Sequence, residues 1–168
     1  MLGALFSSAA FLCAPAGFEV VTGKEFDSAV PKDFYLEGNA IPVEKRNTVL
    51  LKSPSGARVL IGLIDTAGYS SQIQQKYVGM LIAETPLAAC GVDLPVGSYG
   101  FGLQKPASQG QGSGQFLVYD QAGKQLGSCP AEADQGLKQP RPLQVTAGSD
   151  ASARLFLGRY WIALRSRE

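Results

Sequence analysis

Two acidic residues that end strongly apolar runs are the first candidates for chemistry. Asp65 and Glu84 would make a hydrolase pair if their carboxyl groups lay about 5 to 10 Å apart, the spacing that glycosidases use for acid, base or nucleophile. If the two runs form an antiparallel hairpin, however, Asp65 is opposite Tyr77 and Arg58 is opposite Glu84. Seven residues at about 3.3 Å each then separate the carboxylates by about 23 Å. We therefore predict a cross-strand ion pair between Arg58 and Glu84.

The segment Leu63-Ile64-Asp65-Thr66-Ala67-Gly68 resembles two catalytic loops, the Asp-x-x-Gly switch of small GTPases and the Asp-Thr-Gly loop of aspartic proteases. The sequence has no Gly-x-x-x-x-Gly-Lys-Ser/Thr loop to hold the phosphates of GTP. The protease loop needs glycine directly after threonine, where this chain has Ala67. We expect Asp65 to end a strand and to accept hydrogen bonds from turn amides.

The composition excludes several function classes. The chain has no histidine, which removes the usual general base, the commonest metal ligand and the central member of a Ser-His-Asp triad. Fifteen basic and fourteen acidic residues give no broad field for nucleic acid. Lys45, Arg46, Arg159, Arg165 and Arg167 are too sparse for a nucleic-acid stripe and are expected on the solvated surface. We predict no cofactor and no metal site.

The N-terminal segment indicates export. Residues 1–16 are mostly apolar, and Ala14-Pro15-Ala16 has the small residues that a signal peptidase recognises, although no Lys or Arg precedes the apolar run. The alternatives are a lipid anchor on Cys13 and a buried N-terminal segment. We predict cleavage before Gly17, a mature domain of residues 17–168 and a periplasmic or extracellular location, without a transmembrane helix in the mature chain.

Two cysteines remain after that cleavage. Cys90 and Cys129 form an even pair in an oxidising compartment, so we predict that they are joined by a disulfide. The alternative is two separate buried thiols.

Short apolar runs separated by Gly, Pro, Asn and Ser are typical of strands. The fold class predicted from them is all-β, an antiparallel β-sandwich of about nine or ten short strands, with a β-barrel as the alternative. Hairpin turns are expected at Ser53-Pro54-Ser55-Gly56 and Gly158-Arg159, and helical turns at 24–29 and 70–76. The predicted strands span 48–52, 57–65, 77–84, 87–90, 98–104, 115–120, 124–129, 143–146, 153–157 and 160–164.

The turn Leu94-Pro95-Val96-Gly97-Ser98-Tyr99 leads into one of these strands. It is similar to a Leu-Pro-x-Gly-x-Tyr turn of secreted bacterial β-sandwich domains of unknown function. The resemblance implies a fold and an export route rather than a reaction. Proline and glycine suit the turn, and the Tyr99 ring is expected to pack inward.

Two further segments could form binding sites, but each is more simply interpreted as a structural feature. Lys105 to Gly114 is glycine-rich, yet it opens no helix, so we expect a loop between two strands rather than a phosphate site. Tyr160-Trp161 would suit a stacking platform for sugar, although aromatic residues in a terminal strand more often belong to the core.

These observations predict a binding or structural module of the cell envelope, not an enzyme. Its partner would be an envelope protein or a glycan, and the binding residues are not identifiable from the sequence. The alternative is a histidine-free secreted hydrolase with a serine or carboxylate nucleophile. A deep pocket with convergent polar groups would favour the hydrolase, and a shallow aromatic groove would favour the binding module.

Overall fold

In the computed structural model, residues 17–107 and 112–168 are described, and they form thirteen β-strands and two short α-helices. The expected signal peptide, residues 1–16, and the centre of the Lys105 to Gly114 loop lie outside the described residues. The elements are β1 (Glu19–Val21), α1 (Lys24–Ala29), β2 (Asp33–Leu36), β3 (Asn39–Lys52), β4 (Arg58–Ile64), α2 (Ser71–Lys76), β5 (Gly79–Ala83), β6 (Leu87–Ala89), β7 (Val92–Leu94), β8 (Gly97–Gln104), β9 (Gly114–Asp120), β10 (Gln125–Ala133), β11 (Gln144–Ala147), β12 (Ser152–Leu157) and β13 (Tyr160–Ser166).

The strands pair antiparallel into one sheet that is nearly closed and barrel-like. Its order is β1-β3-β4-β5-β8-β9-β10-β13-β12-β11, with β2 added beside β3 and β6 beside β13. β10 joins the two halves, because Gln125 to Ala131 pair with β9 whereas Glu132 and Ala133 pair with β13. The sheet therefore folds over itself through a shared strand, which confirms the all-β prediction and its sandwich or barrel architecture.

All ten predicted strands are present, and three short ones were not predicted. β1, β2 and β7 have only three or four residues each, too few for a clear alternation of apolar and polar side chains. β3 begins at Asn39 rather than Thr48, because its first residues pair with β2; its pairing with β4 is irregular between Val43 and Thr48. The charged residues of that irregular segment concealed the strand in the sequence.

β4 is covered on both faces, as its apolar sequence predicts. Val59, Ile61 and Leu63 point into the interior between the two halves of the sheet. Leu60 and Ile64 belong to a second apolar cluster on the opposite face. That second cluster is closed by Phe34 and Leu36 of β2, Ile73 of α2, and the strand residues Ile41, Leu50, Met80 and Leu117.

Buried aromatic rings occupy the space directly above two glycines in this part of the sheet. A Cβ atom added at Gly79 would lie 2.3 Å from the Phe101 ring, and one added at Gly100 would lie 2.8 Å from the Tyr77 ring. Any larger residue at either position would displace a buried aromatic side chain. Glycine at these two sites is therefore a packing requirement of the sheet.

The two helices lie where the sequence predicts helical turns. Each has six residues, and the hydroxyl of Ser70 accepts a hydrogen bond from the Ile73 amide at the start of α2. Within residues 17–107 and 112–168, no helix has the length and apolar character needed to cross a bilayer.

The predicted turns are also confirmed. Lys52 pairs with Arg58 around the Ser53 to Gly56 turn, and Leu157 pairs with Tyr160 around Gly158-Arg159. Gly158 has a φ of 64°, the left-handed conformation expected there. Tyr99 is buried, and its hydroxyl donates to the Pro95 carbonyl at 2.6 Å, so the side chain closes the turn that precedes its own strand.

Cys90 and Cys129 are bonded, as predicted, with Cα atoms 4.9 Å apart. Cys90 and Gly91 form the two-residue turn between β6 and β7, with φ values of 53° and 69°. Such turns favour Asn-Gly, because a side chain at the first position is strained in the left-handed conformation. The disulfide ties this turn to β10, the strand shared by the two halves of the sheet.

We expect the loss of the disulfide to destabilise the fold substantially. The cysteines are separated by 39 residues, and closing a loop of that length contributes about 4 kcal/mol in the chain-entropy model. The double variant Cys90→Ser/Cys129→Ser should therefore unfold at lower urea concentration than the wild type, by about that free energy. Reduced wild-type protein is the matched control and should unfold like the double variant. Two freely alkylated thiols in folded protein prepared without reductant would contradict the bond.

Candidate functional site

The acidic residues singled out in the sequence do not form a catalytic pair. Val59 pairs with Ala83 and Leu63 with Gly79, which is the predicted register of β4 and β5. Asp65 and Glu84 are therefore at opposite ends of the hairpin. Arg58 donates from its Nε to both Glu84 oxygens at 2.9 and 3.0 Å. The predicted ion pair is confirmed, and this guanidinium lowers the pKa of Glu84.

Asp65 and Asp120 shape turns at strand ends. Asp65 Oδ1 accepts a hydrogen bond from the Ala67 amide at 3.0 Å, as predicted. Asp120 Oδ1 accepts one from the Lys124 amide at 2.8 Å, in the turn between β9 and β10. Across the described part of the chain, no group of three or more His, Cys, Asp or Glu side chains is arranged to hold a metal ion.

A cluster that the sequence did not indicate joins Glu37, Lys76 and Tyr77. Glu37 Oε1 accepts hydrogen bonds from Lys76 Nζ and, at 2.7 Å, from the Tyr77 hydroxyl. Lys76 Nζ also donates to the Gly123 carbonyl at 2.6 Å and lies over the Tyr77 and Tyr119 rings, 5.1 and 4.9 Å from their centroids. The cluster therefore links the β2–β3 turn, the end of α2 and the β9–β10 turn.

The electrostatics of this cluster indicate a structural role. The hydrogen bond from Lys76 lowers the pKa of Glu37, and burial raises the pKa of Tyr77. Glu37 is then a weaker base and Tyr77 a weaker acid than in water, which is unfavourable for proton transfer at neutral pH. Glu37 also has a φ of 49° as the first residue of a two-residue turn. We conclude that the ion pair holds a strained turn in place.

An open groove on the outer face of β11, β12 and β13 is the strongest candidate for a binding site. Its volume is about 620 Å³, within the range of small-ligand sites. In the register of the sheet, Arg154 lies between Thr146 and Ala163, and Ser152 is opposite Arg165. The lining residues are Thr146, Ala147, Gly148, Ser149, Asp150, Ser152, Ala153, Arg154, Trp161, Ala163 and Arg165.

Two neighbouring side chains hold Trp161 in this groove. Its ring centroid is 6.3 Å from that of Phe156, which is buried on the outer face of β12. On Trp161 lies the guanidinium of Arg154, with Cζ 4.5 Å from the ring centroid. The buried ring of Phe156 thus packs beside a partly exposed indole, and the indole in turn orients the arginine.

The β11–β12 hairpin forms one end of the groove. The Gly148 amide donates to the Ser152 carbonyl, which closes a three-residue loop whose last residue, Ala151, has a φ of 54°. Within this loop Asp150 accepts a hydrogen bond from the Ser152 hydroxyl. That hydrogen bond lowers the pKa of Asp150, and the nearby charge of Arg165 contributes. Asp150 is therefore ionised at neutral pH.

A second depression adjoins the first on the other side of Trp161. It has a volume of about 310 Å³ and shares Trp161 and Ala163 with the groove. The Cys90–Cys129 disulfide and Glu132 line its far side. Together the two depressions form a path across the outer face of β13, with Trp161 at its centre.

The structure separates the two residues of the Tyr160-Trp161 pair, for which a core position was the preferred prediction. Tyr160 packs against the interior core, as expected. That prediction is wrong for Trp161, which lies on the outer face because successive strand residues point to opposite faces. The alternation of inward and outward side chains along β12 and β13 indicates this position, since Arg154, Trp161 and Arg165 all occupy outward positions.

The basic residues expected on the solvated surface differ in their surroundings. Arg167 and Lys45 form exposed ion pairs with Asp93 and Asp27. Arg159 is less exposed than expected, because its Nη1 donates to the Leu137 carbonyl at 2.7 Å and supports the loop that follows β10. Arg165 lines the groove.

No protein-family model matches the sequence, and comparisons with curated proteins and with solved structures likewise find no significant match.

The Glu37 ion pair should make the fold sensitive to acid. Because the pKa of Glu37 is lowered in the folded state, its contribution is complete above the unfolded pKa of about 4.3 and is lost as the pH falls through the lowered value. Glu37→Gln should reduce the free energy of unfolding at pH 7 by about 2 kcal/mol. The difference from wild type should shrink toward pH 3 in urea titrations. Glu19→Gln, at an exposed carboxylate, is the control. A difference independent of pH would contradict this role.

The three strand-end carboxylates should affect stability rather than activity. Asp65→Ala, Glu84→Ala and Asp120→Ala each remove a turn hydrogen bond or a surface ion pair, at a cost of about 0.5 to 2 kcal/mol. Glu84→Ala should fall at the low end because the pair is half exposed. Thermal unfolding measures these losses, and a panel of ester, peptide and glycoside substrates tests for hydrolysis. Turnover by wild type that disappears in Asp65→Ala at an unchanged melting temperature would refute the structural assignment.

Proposed function

We propose that the protein is an exported cell-envelope binding module whose ligand is a glycan bound in the groove on the outer face of β11, β12 and β13. The observation that supports this most directly is Trp161, a partly exposed indole that packs beside a buried aromatic ring in an open groove. The part of the indole that is left exposed beside the Arg154 guanidinium offers an apolar contact to a sugar ring. Hydroxyls of Thr146, Ser149 and Ser152 line the same groove and are suited to hydrogen bonding with sugar hydroxyls.

The shape of the site favours an extended ligand. The groove and the adjoining depression meet at Trp161, and both are open to solvent along the sheet surface. A chain of sugar units would cross β13 with one unit against the exposed part of the indole and others on either side. An envelope polysaccharide is a ligand of this form.

The hydrolase alternative lacks an activated nucleophile in this groove. Ser152 donates its hydroxyl to Asp150, but the lowered pKa of Asp150 makes that carboxylate a poor base at neutral pH. The groove lining contains no lysine to replace the missing histidine. A binding role needs no such group.

Export is part of the proposal. The Cys90–Cys129 disulfide is compatible with an oxidising compartment. Residues 1–16 are the proposed signal peptide, and a periplasmic or extracellular site would bring the groove into contact with envelope glycans.

We expect Trp161→Ala to abolish most glycan binding without unfolding the protein. Wild-type protein is applied to an array of neutral and acidic bacterial saccharides, and affinities for bound saccharides are measured by calorimetry. The substitution should weaken binding at least about tenfold, or about 1.4 kcal/mol.

Tyr35→Ala is the matched control, because Tyr35 is a 62% exposed aromatic on β2, outside the groove. It should bind like the wild type. The proposal is contradicted if no saccharide on the array binds, or if Trp161→Ala binds as tightly as Tyr35→Ala.

A further inference from the structure

Two exposed arginines lie together in the groove, and neither has an acidic partner among the described residues. Lys45, Lys52, Arg58, Lys76 and Arg167 each form a salt bridge with an acidic side chain. Arg154 and Arg165 form none within the described residues, and both are exposed in the same groove. Their guanidinium groups are therefore available to a ligand.

Arg154 is oriented before any ligand arrives. Its guanidinium lies on the Trp161 ring, with Cζ 4.5 Å from the centroid. A guanidinium on a ring face keeps the N–H donors along its edge for other partners. Because the indole packs beside the buried Phe156, this orientation costs little conformational entropy on binding.

We infer that the groove recognises a carboxylate group on an acidic saccharide, with Arg154 and Arg165 as its binding residues. The inference rests on the proposed function and specifies the class of glycan. The planar fork of an arginine matches the two oxygens of a carboxylate and forms paired hydrogen bonds with them. Uronic acids offer this group on a sugar ring.

The charges of the groove lining agree with an acidic ligand of low charge density. Arg154 and Arg165 are positive and Asp150 is negative, so the groove itself carries one positive charge, whereas Glu132 lines the adjoining depression; the carboxylate is therefore bound in the groove. Asp150 already accepts the Ser152 hydroxyl and is close enough to Arg165 for its pKa to respond. Its remaining lone pairs are suited to a sugar hydroxyl. Nucleic acid, with its higher density of negative charge, would require a longer basic stripe.

The inference is tested by calorimetry with two probes that differ at one group of each sugar unit. Oligogalacturonate presents one carboxylate per sugar unit, and the carboxyl-reduced oligosaccharide presents a hydroxymethyl group instead. We expect wild type to bind oligogalacturonate at least about tenfold more tightly than the reduced probe, with affinity falling as salt is raised. Arg165→Gln should remove most of this preference and leave the melting temperature unchanged.

Matched variants separate charge from geometry. Arg154→Lys keeps the positive charge but removes the planar fork, so it should lose at least about fivefold in affinity for oligogalacturonate, and Arg154→Gln should lose more. Arg46→Gln removes an exposed arginine from the irregular part of β3, outside the groove, and should bind like the wild type.

The possible outcomes distinguish this inference from the proposed function. Equal affinity for the two probes, or for the Arg165→Gln and Arg46→Gln variants, overturns the carboxylate site while leaving a Trp161-dependent glycan module in place. Failure to bind oligogalacturonate also overturns it, as does preferential binding of an acidic peptide such as oligoglutamate. If the wild-type protein binds no saccharide on the array, neutral or acidic, the proposed function itself is refuted.

Discussion

The burial of β4 on both faces is the constraint on which the rest of the structure depends. Its side chains alternate between two apolar clusters, so each face of this strand requires its own cover. The sheet covers one face by folding over itself through β10, and β2 with α2 covers the other. As a consequence β11, β12 and β13 form an outer layer, and no helix or strand of residues 17–107 and 112–168 covers its outer face. The groove lies on that free face.

In the part of the chain that the structure describes, three residues other than glycine have a left-handed backbone, and they mark the places where this arrangement is under strain. Glu37 and Cys90 each begin a two-residue hairpin turn, and Ala151 ends the loop beside the groove. A side chain in this conformation costs about 1 kcal/mol or more. The Lys76 ion pair offsets that cost at Glu37, and the Cys129 disulfide does so at Cys90. Tertiary bonds thus stabilise turns whose local sequence does not favour them.

The fold was largely predictable from the sequence, whereas the groove was not. Apolar runs and their turn residues predicted ten strands and the β4–β5 register, because these depend on local alternation and on pairing along the chain. The Cys90–Cys129 bond was predicted from the number of cysteines that remain after the expected cleavage. Glu37 and Lys76 are 39 positions apart, and no local pattern relates them. Arg154 and Trp161 were present in predicted strands, but their shared outward face became meaningful only once the opposite face of those strands was known to be buried.

The chain contains a single tryptophan, and it is Trp161. All of the protein's indole fluorescence therefore originates in the groove, from a ring that has a guanidinium on it and solvent beside it. Any molecule that enters the groove changes the polarity around that ring. Emission from the native, unlabelled protein is thus an intrinsic optical reporter of whether this face of the sheet is occupied.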